Sequence, residues 1–164
     1  MIIVGWDCGR KGASAWMDND LVDVKPMPII SNEYHLTSMA DRMKEAGHVI
    51  VEEPPKLLRI GGRTMSGSVW SLWQCFGAIC MYARSNAIPL TVVKPIVWRR
   101  AMLPGTARGS YKDRKQASIK KAIELFPGQP LLATPKCKCP HDGMAEALLI
   151  TEFCRRTLSG GNSQ

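Results

Sequence analysis

The sequence predicts an α/β domain: a mixed five-stranded sheet with helices on both faces. Three observations carry this. Three short apolar segments follow one another at hairpin spacing within the first 24 residues. Strand-like and helix-like segments then alternate, which gives a sheet its parallel strands and covering helices. The 164 residues suffice for one domain with its own core, and no repeat or long linker divides them.

Residues 1–7 (MIIVGWD) are an apolar run ending in Asp7 and then Gly9, the pattern of a buried strand. Residues 12–17 (GASAWM) alternate small and large side chains as a second strand. Asp18-Asn19-Asp20 is a turn, and residues 21–24 (LVDV) alternate into a third strand ended by Pro26 and Pro28. Residues 33–46 place Leu36, Met39, Ala40 and Met43 at helical spacing, and Gly47 stops that helix. Residues 48–51 (HVIV) form a fourth strand, buried on both faces, which runs into Glu52, Glu53 and two prolines.

Residues 56–66 are basic, Gly-containing and unpatterned, hence a loop. Residues 68–85 form a long helix whose one charge is Arg84, so it is buried in a core or a subunit interface. Residues 89–93 (PLTVV) are the fifth strand, and Pro95 opens a short helix through Trp98 and Met102. Residues 111–126 form an amphipathic helix with Lys115, Lys120 and Lys121 on its basic face. After an irregular stretch, residues 142–158 form the last helix; the domain spans 1–158 and residues 159–164 are a disordered tail.

The chain holds 22 Lys+Arg against 14 Asp+Glu, a formal charge of +8. Residues 94–121 carry nine basic residues and one acidic, Asp113, so the excess is local and the rest is balanced. A concentrated basic patch suits phosphate binding. No apolar stretch approaches the ~20 residues of a membrane span. The N-terminal apolar run lacks a basic flank and is interrupted by Asp7, so it does not read as a signal peptide. With six cysteines and no such signal, the expectation is free thiols and a cytoplasmic location, that of the bacterial host if the chain is phage-encoded.

Against that basic background four carboxylates stand out. Asp7 and Glu52 end apolar strands, and Asp142 and Glu146, four apart, share one face of the last helix. If the strand after the first helix lies beside the first strand, all four converge. An acidic, all-oxygen cluster on a basic protein points to a divalent-metal site facing a polyanion. Asp142 also suits the N-cap of its helix.

The segments G-W-D-C-G at Asp7, I-V-E-E-P at Glu52 and H-D-G-M-A-E-A-L-L-I at Glu146 resemble the RuvC-type Holliday junction resolvases of the RNase H-like superfamily. Phe76-Gly77-Ala78, Ile88-Pro89-Leu90 and Val93-Lys94-Pro95 leading to Trp98-Arg99 are similar to the phage branch of that family, and the resemblance spans residues 1–157. It implies an RNase H-like fold and an Mg²⁺-dependent (or Mn²⁺-dependent) endonuclease that hydrolyses phosphodiesters in four-way junctions with two ions per site. Asp7, Glu52, Asp142 and Glu146 would be the catalytic metal ligands. Glu53 is the alternative to Glu52. The Asp142–Glu146 spacing is four where well-known bacterial members have three, which leaves His141 as an alternative ligand.

Resembling enzymes are two-fold homodimers, and the helix carrying Trp70 and Trp73 is a candidate interface. The loop after Glu52 would enter the junction, with Lys56, Arg59 and Arg63 on phosphates and Leu57, Leu58, Ile60 and Met65 as apolar wedges. Lys112, Arg114, Lys115, Lys120 and Lys121 are further candidates for DNA-backbone contacts. Cys137, Cys139 and His141 have the look of a metal clip, but no second ligand pair completes a zinc site. Competing readings are a less selective RNase H-like nuclease (flaps, forks, RNA–DNA hybrids) and a non-catalytic nucleic-acid-binding module. An ATPase fragment would need a Gly-rich phosphate loop, which is missing from the sequence.

Overall fold

The computed structural model describes residues 1–56, 59–60, 63–64, 66–106 and 109–160, without the side chains of 59–60, 63–64 and 66–68. Leu57, Leu58 and Met65, expected as wedges, and Arg108 of the basic segment lie outside the described residues.

Strands β1 (Ile3–Asp7), β2 (Ala13–Asp18) and β3 (Leu21–Pro26) form an antiparallel meander. Next come a small hairpin, β4 (Ile29–Ile30) with β5 (Glu33–Tyr34), helix α1 (Leu36–Met43) and strand β6 (His48–Glu52). A second small hairpin, β7 (Arg59–Ile60) with β8 (Arg63–Thr64), leads to α2 (Ser66–Ser85). Strand β9 (Leu90–Val93) and helices α3 (Pro95–Met102), α4 (Tyr111–Leu125) and α5 (Asp142–Gly160) complete the chain.

The main sheet has the order β3-β2-β1-β6-β9, with β6 parallel to both β1 and β9. This is the expected mixed five-stranded α/β sheet, and the strand after α1 does lie beside β1. Both hairpins are additions to the sequence reading. Residues 33–34 pair back onto β4 instead of opening a helix, because Ser31 (φ 49°) and Asn32 (φ 66°) both adopt the left-handed conformation of a tight two-residue turn. Between β7 and β8 the chain carries Gly61-Gly62, a hairpin signal that lies inside the segment read as a loop.

The sheet separates two cores. One, beneath α3, α4 and α5, contains Ile3, Ala15, Met17, Ile50, Val93, Trp98 and Leu148; the other, beneath α1 and α2, contains Val4, Trp6, Val49, Val51, Met39 and Ile79. Helix α5 lies against β1 at unusually close range, because a Cβ on Gly5 would overlap Thr151 Oγ1 and come within 3.0 Å of Thr151 N. At its start α5 abuts the β1–β2 turn, where a Cβ on Gly143 would overlap Lys11 O and lie 3.0 Å from Gly12 Cα. Two side-chain-free positions thus set the height of α5 above the sheet. Helix α5 continues to Gly160, and residues 161–164 lie outside the described residues.

Candidate active site

Alternation along two adjacent strands decides which carboxylates meet. On β1, Ile3 points into the α5 core and Val4 and Trp6 into the other, so Asp7 falls on the α5 side. On β6, Ile50 lies on that side and Val49 and Val51 on the other, so Glu52 faces α5 and Glu53 does not. The register Trp6↔Val51 brings Asp7 and Glu52 together at the strand ends. Glu146, one turn into α5 and 2% exposed, reaches down to them. Its buried position follows from its apolar neighbours Ala145, Ala147, Leu148 and Leu149, all fully buried.

Cations already thread this acidic centre. Lys115 Nζ lies 2.6 Å from Glu146 Oε2 and 3.1 Å from Asp142 Oδ2. Arg99 Nη2 lies 3.5 Å from Glu52 Oε1 and 3.6 Å from Glu146 Oε1, so it bridges the two. Trp98, wholly buried, donates its Nε1–H to Glu52 Oε2 at 2.6 Å, and Arg99 stacks over the Trp98 ring at 4.9 Å. Ser118 Oγ donates to Glu146 Oε1 at 3.3 Å.

The electrostatics follow from this crowding. Burial, then the charges of Glu146 and Glu52, pushes the Asp7 carboxyl well above the usual aspartate range, outweighing Lys115 and Arg99. Burial also raises Glu52, against the opposing pull of Arg99 and the Trp98 hydrogen bond. Burial acts to raise Asp142, yet the Lys115 ammonium holds it below its ordinary value. Lys115 itself would be lowered by burial, but Glu146 and Asp7 hold it above the usual lysine range.

Among the described residues no three of His, Cys, Asp and Glu are grouped to hold a metal ion. The donor chemistry, four carboxylates of which Asp7 is raised first by burial and then by the charges of Glu146 and Glu52, still fits a hard divalent cation. What the present spacing accommodates is an ammonium and a guanidinium in the place of that charge. His141 is otherwise engaged: its Nδ1 accepts from the Met144 backbone N at 3.1 Å, so His141, not Asp142, caps α5.

Lys115 departs from its expected place on an outward basic face. It shares the inward line of α4 with the buried Ser118 and Ala122, at spacings i, i+3 and i+7, while Lys120 is exposed elsewhere on the helix. Lys56 and Lys112 are exposed; Arg114 donates Nη1–H to Gly109 O at 2.8 Å, and Lys121 pairs with Glu124 at 2.8 Å. Arg59 and Arg63 sit on the β7–β8 hairpin, with their side chains outside the described residues. Cys137 and Cys139 are exposed and away from this centre's hydrogen bonds; Cys137 Sγ meets Thr134 Oγ1 at 3.3 Å. Sequence reasoning missed Trp98, Arg99 and Ser118 as site residues. The i, i+3 pairing of Lys115 with Ser118 was the available signal for one of them.

Strand order, the placement of α5 on β1 and the acidic strand ends define an α/β fold of the RuvC/RNase H-like kind. Among solved structures, Thermus thermophilus RuvC is similar with a TM-score of 0.58 at 13% identity, covering 98% of this chain and 97% of that one. Thermus thermophilus RuvC in complex with a Holliday junction substrate matches with a TM-score of 0.58 at 15% identity, covering 96% of each chain. The yeast mitochondrial Holliday junction resolvase matches with a TM-score of 0.53 at 14% identity, covering 96% of this chain and 80% of that one. At these identities the likeness is one of fold. The chain matches no protein-family model and no curated protein.

Proposed function

We propose that the chain is a metal-dependent, structure-selective DNA endonuclease that resolves four-way junctions and related branched DNA by phosphodiester hydrolysis. What supports this reading is that Asp7, Glu52 and Glu146 act on one another electrostatically at one end of the sheet, with Asp142 joined to Glu146 through Lys115, in a fold similar to that of solved junction resolvases. Those four side chains would hold Mg²⁺ or Mn²⁺, two ions per site. When bound, the ions supply Lewis acidity for hydrolysis and neutralise charge at the phosphate.

The chain's own residues prepare that centre. Trp98 and Arg99 fix Glu52, Ser118 and Lys115 fix Glu146, and burial with the charges of Glu146 and Glu52 raises the proton affinity of the Asp7 carboxyl. The exposed Lys56, Lys112 and Lys120, with Arg59, Arg63, Arg114 and Lys121, would bring DNA backbone to it. A homodimer would present two such centres to the two strands cut in a junction. A phage origin and the cytoplasm of a bacterial host belong to the same reading. Among the described residues no helix is long and apolar enough to cross a membrane.

Cleavage of a synthetic four-way junction and a matched linear duplex with Mg²⁺, by wild type and Asp7→Asn, tests the proposal. Junction-selective cutting lost in Asp7→Asn is the expected result. Equal cutting of both DNAs would make the chain a less selective nuclease. One observation favours a non-catalytic binding module: Lys115 and Arg99 already neutralise the carboxylates. Junction binding without cutting at any Mg²⁺ or Mn²⁺ concentration would establish that second reading.

A further inference from the structure

Beside the acidic centre, and sharing one residue with it, is a cleft of about 210 Å³ lined by Pro95, Ile96, Arg99, Arg100, Thr106 and Arg114. Three of its six lining residues are arginines and none is acidic. The nearest acidic residue along the chain, Asp113, is not part of the lining and accepts from Ser110 N at 3.0 Å and Ser110 Oγ at 2.6 Å in a capping box. Arg100 is exposed and makes no ion pair among the described residues. Arg99 has a buried Nε–H with no acceptor among the described residues. A buried guanidinium N–H without an acceptor is uncommon in a folded protein. Arg114 is pinned by its bond to Gly109 O at 2.8 Å.

We infer that this cleft seats one backbone phosphate of a DNA strand, adjacent to the phosphate that the carboxylates address. Arginine forks match the tetrahedral oxygens of a phosphodiester. A lining of three arginines without an acidic residue, of which only Arg99 is paired with carboxylates outside it among the described residues, favours an anion over a cationic or neutral ligand. Arg99 links the two places physically. Its Nη2 reaches Glu52 and Glu146, while the same side chain forms a wall of the cleft. A phosphate in the cleft therefore draws on the residue that fixes Glu52, and it sets the register of the strand across the acidic centre. This rests on the proposed function only in taking the phosphate to be that of DNA.

The test is the salt dependence of binding, measured without turnover by using Ca²⁺ in place of Mg²⁺. The affinity of wild type, Arg100→Gln and Arg100→Gln/Arg114→Gln for a synthetic four-way junction is titrated between about 50 and 200 mM salt. The slope of log affinity on log salt is expected to fall by about 0.9 in the single variant and by more in the double one. Arg84→Gln, on the far helix α2, is the control and keeps the wild-type slope. Separately, inorganic phosphate should shift the Arg99 Nε–Hε NMR signal saturably in wild type and not in Arg100→Gln.

Junction binding with the same slope in all variants would overturn the cleft while leaving the proposed function standing. An unmoved Arg99 signal would overturn it too. A wild type that binds no DNA, with a normal phosphate-dependent shift of Arg99, would overturn the assignment to DNA and with it the proposed function.

Discussion

Lys115 Nζ lies 2.6 Å from Glu146 Oε2, a pair in which the carboxylate is 2% exposed. Removing Lys115 leaves the buried Glu146 with Arg99 at 3.6 Å and the Ser118 hydroxyl at 3.3 Å, so the cost falls below that of a wholly unpaired buried charge, about 3–5 kcal/mol. Lys115→Met is therefore expected to lower the melting temperature in EDTA. A divalent cation can take over the lost positive charge, so Mn²⁺ should raise the melting temperature of Lys115→Met more than that of wild type. Thermal unfolding of both proteins across a Mn²⁺ series checks this. An equal Mn²⁺ response in the two would show that the ammonium and the cation do not share a place.

Much of this centre was legible in the sequence, and the reason is local. Asp7 and Glu52 each end an apolar strand, and period-two alternation alone separates Glu52 from Glu53 once the sheet order is known. Asp142 and Glu146 fall on one helix face by spacing. Lys115 was harder, because α4 carries five basic residues and the one that turns inward is chosen by the packing of α4 on α5. Trp98 and Arg99 were harder still. Their roles arise from the parallel pairing of β6 with β9, which places the start of α3 over Glu52 although 46 residues separate Trp98 from it.

Trp98 gives a second expectation. Its Nε1–H is a direct donor to Glu52, and Trp98→Phe keeps most of the buried ring while deleting that bond. Partners that orient a metal-binding carboxylate typically contribute 10- to 100-fold to metal affinity, so the Mg²⁺ concentration for half-maximal cleavage should rise by about that factor. Cleavage at saturating Mg²⁺ should change much less. Activity measured over a Mg²⁺ series separates the two quantities. A uniform loss at every Mg²⁺ concentration would mean that Trp98 acts through the fold alone.

Gly5 gives a third. A Cβ there overlaps Thr151 Oγ1 and approaches Thr151 N and Cα at 3.0 and 3.1 Å, so Gly5→Ala must lift α5 from β1. Overpacking of this kind costs about 1–3 kcal/mol. Because α5 carries Glu146, the same substitution should weaken cation binding. Thr151→Ala in the same chain removes the hydroxyl overlap but not the backbone approach, so it should restore only part of the lost stability. Denaturant unfolding of the single and double variants measures both parts.

The fourth expectation concerns pH. Asp7 has its folded carboxyl raised, first by burial and then by Glu146 and Glu52. A carboxyl raised on folding contributes stability that is full below its unfolded value, near ~3.9, and is lost as pH rises through the folded value. In EDTA, wild type should therefore lose stability relative to Asp7→Asn as pH rises from about 4 toward neutrality. Asp142 and Glu152 run the other way: both are held low, Asp142 by Lys115 and Glu152 by Arg155 and Arg156, in each case against burial. Their contribution is present above their unfolded values and lost as pH falls through the folded ones, and it is common to wild type and Asp7→Asn. The difference between the two proteins thus reports Asp7 together with its electrostatic coupling to Glu52 and Glu146. At neutral pH without a divalent cation, Asp7→Asn should melt a few degrees higher, since about 1 kcal/mol moves a domain of this size by roughly 2–4 °C. Saturating Mg²⁺ should reverse the order, because the cation binds more tightly to, and so stabilises more, the chain whose first-strand carboxylate can be ionised to receive it. Melting curves of both proteins at several pH values, with EDTA and with Mg²⁺, decide the matter; an Asp7→Asn protein less stable in EDTA throughout would remove the charge crowding on which the proposed metal site depends.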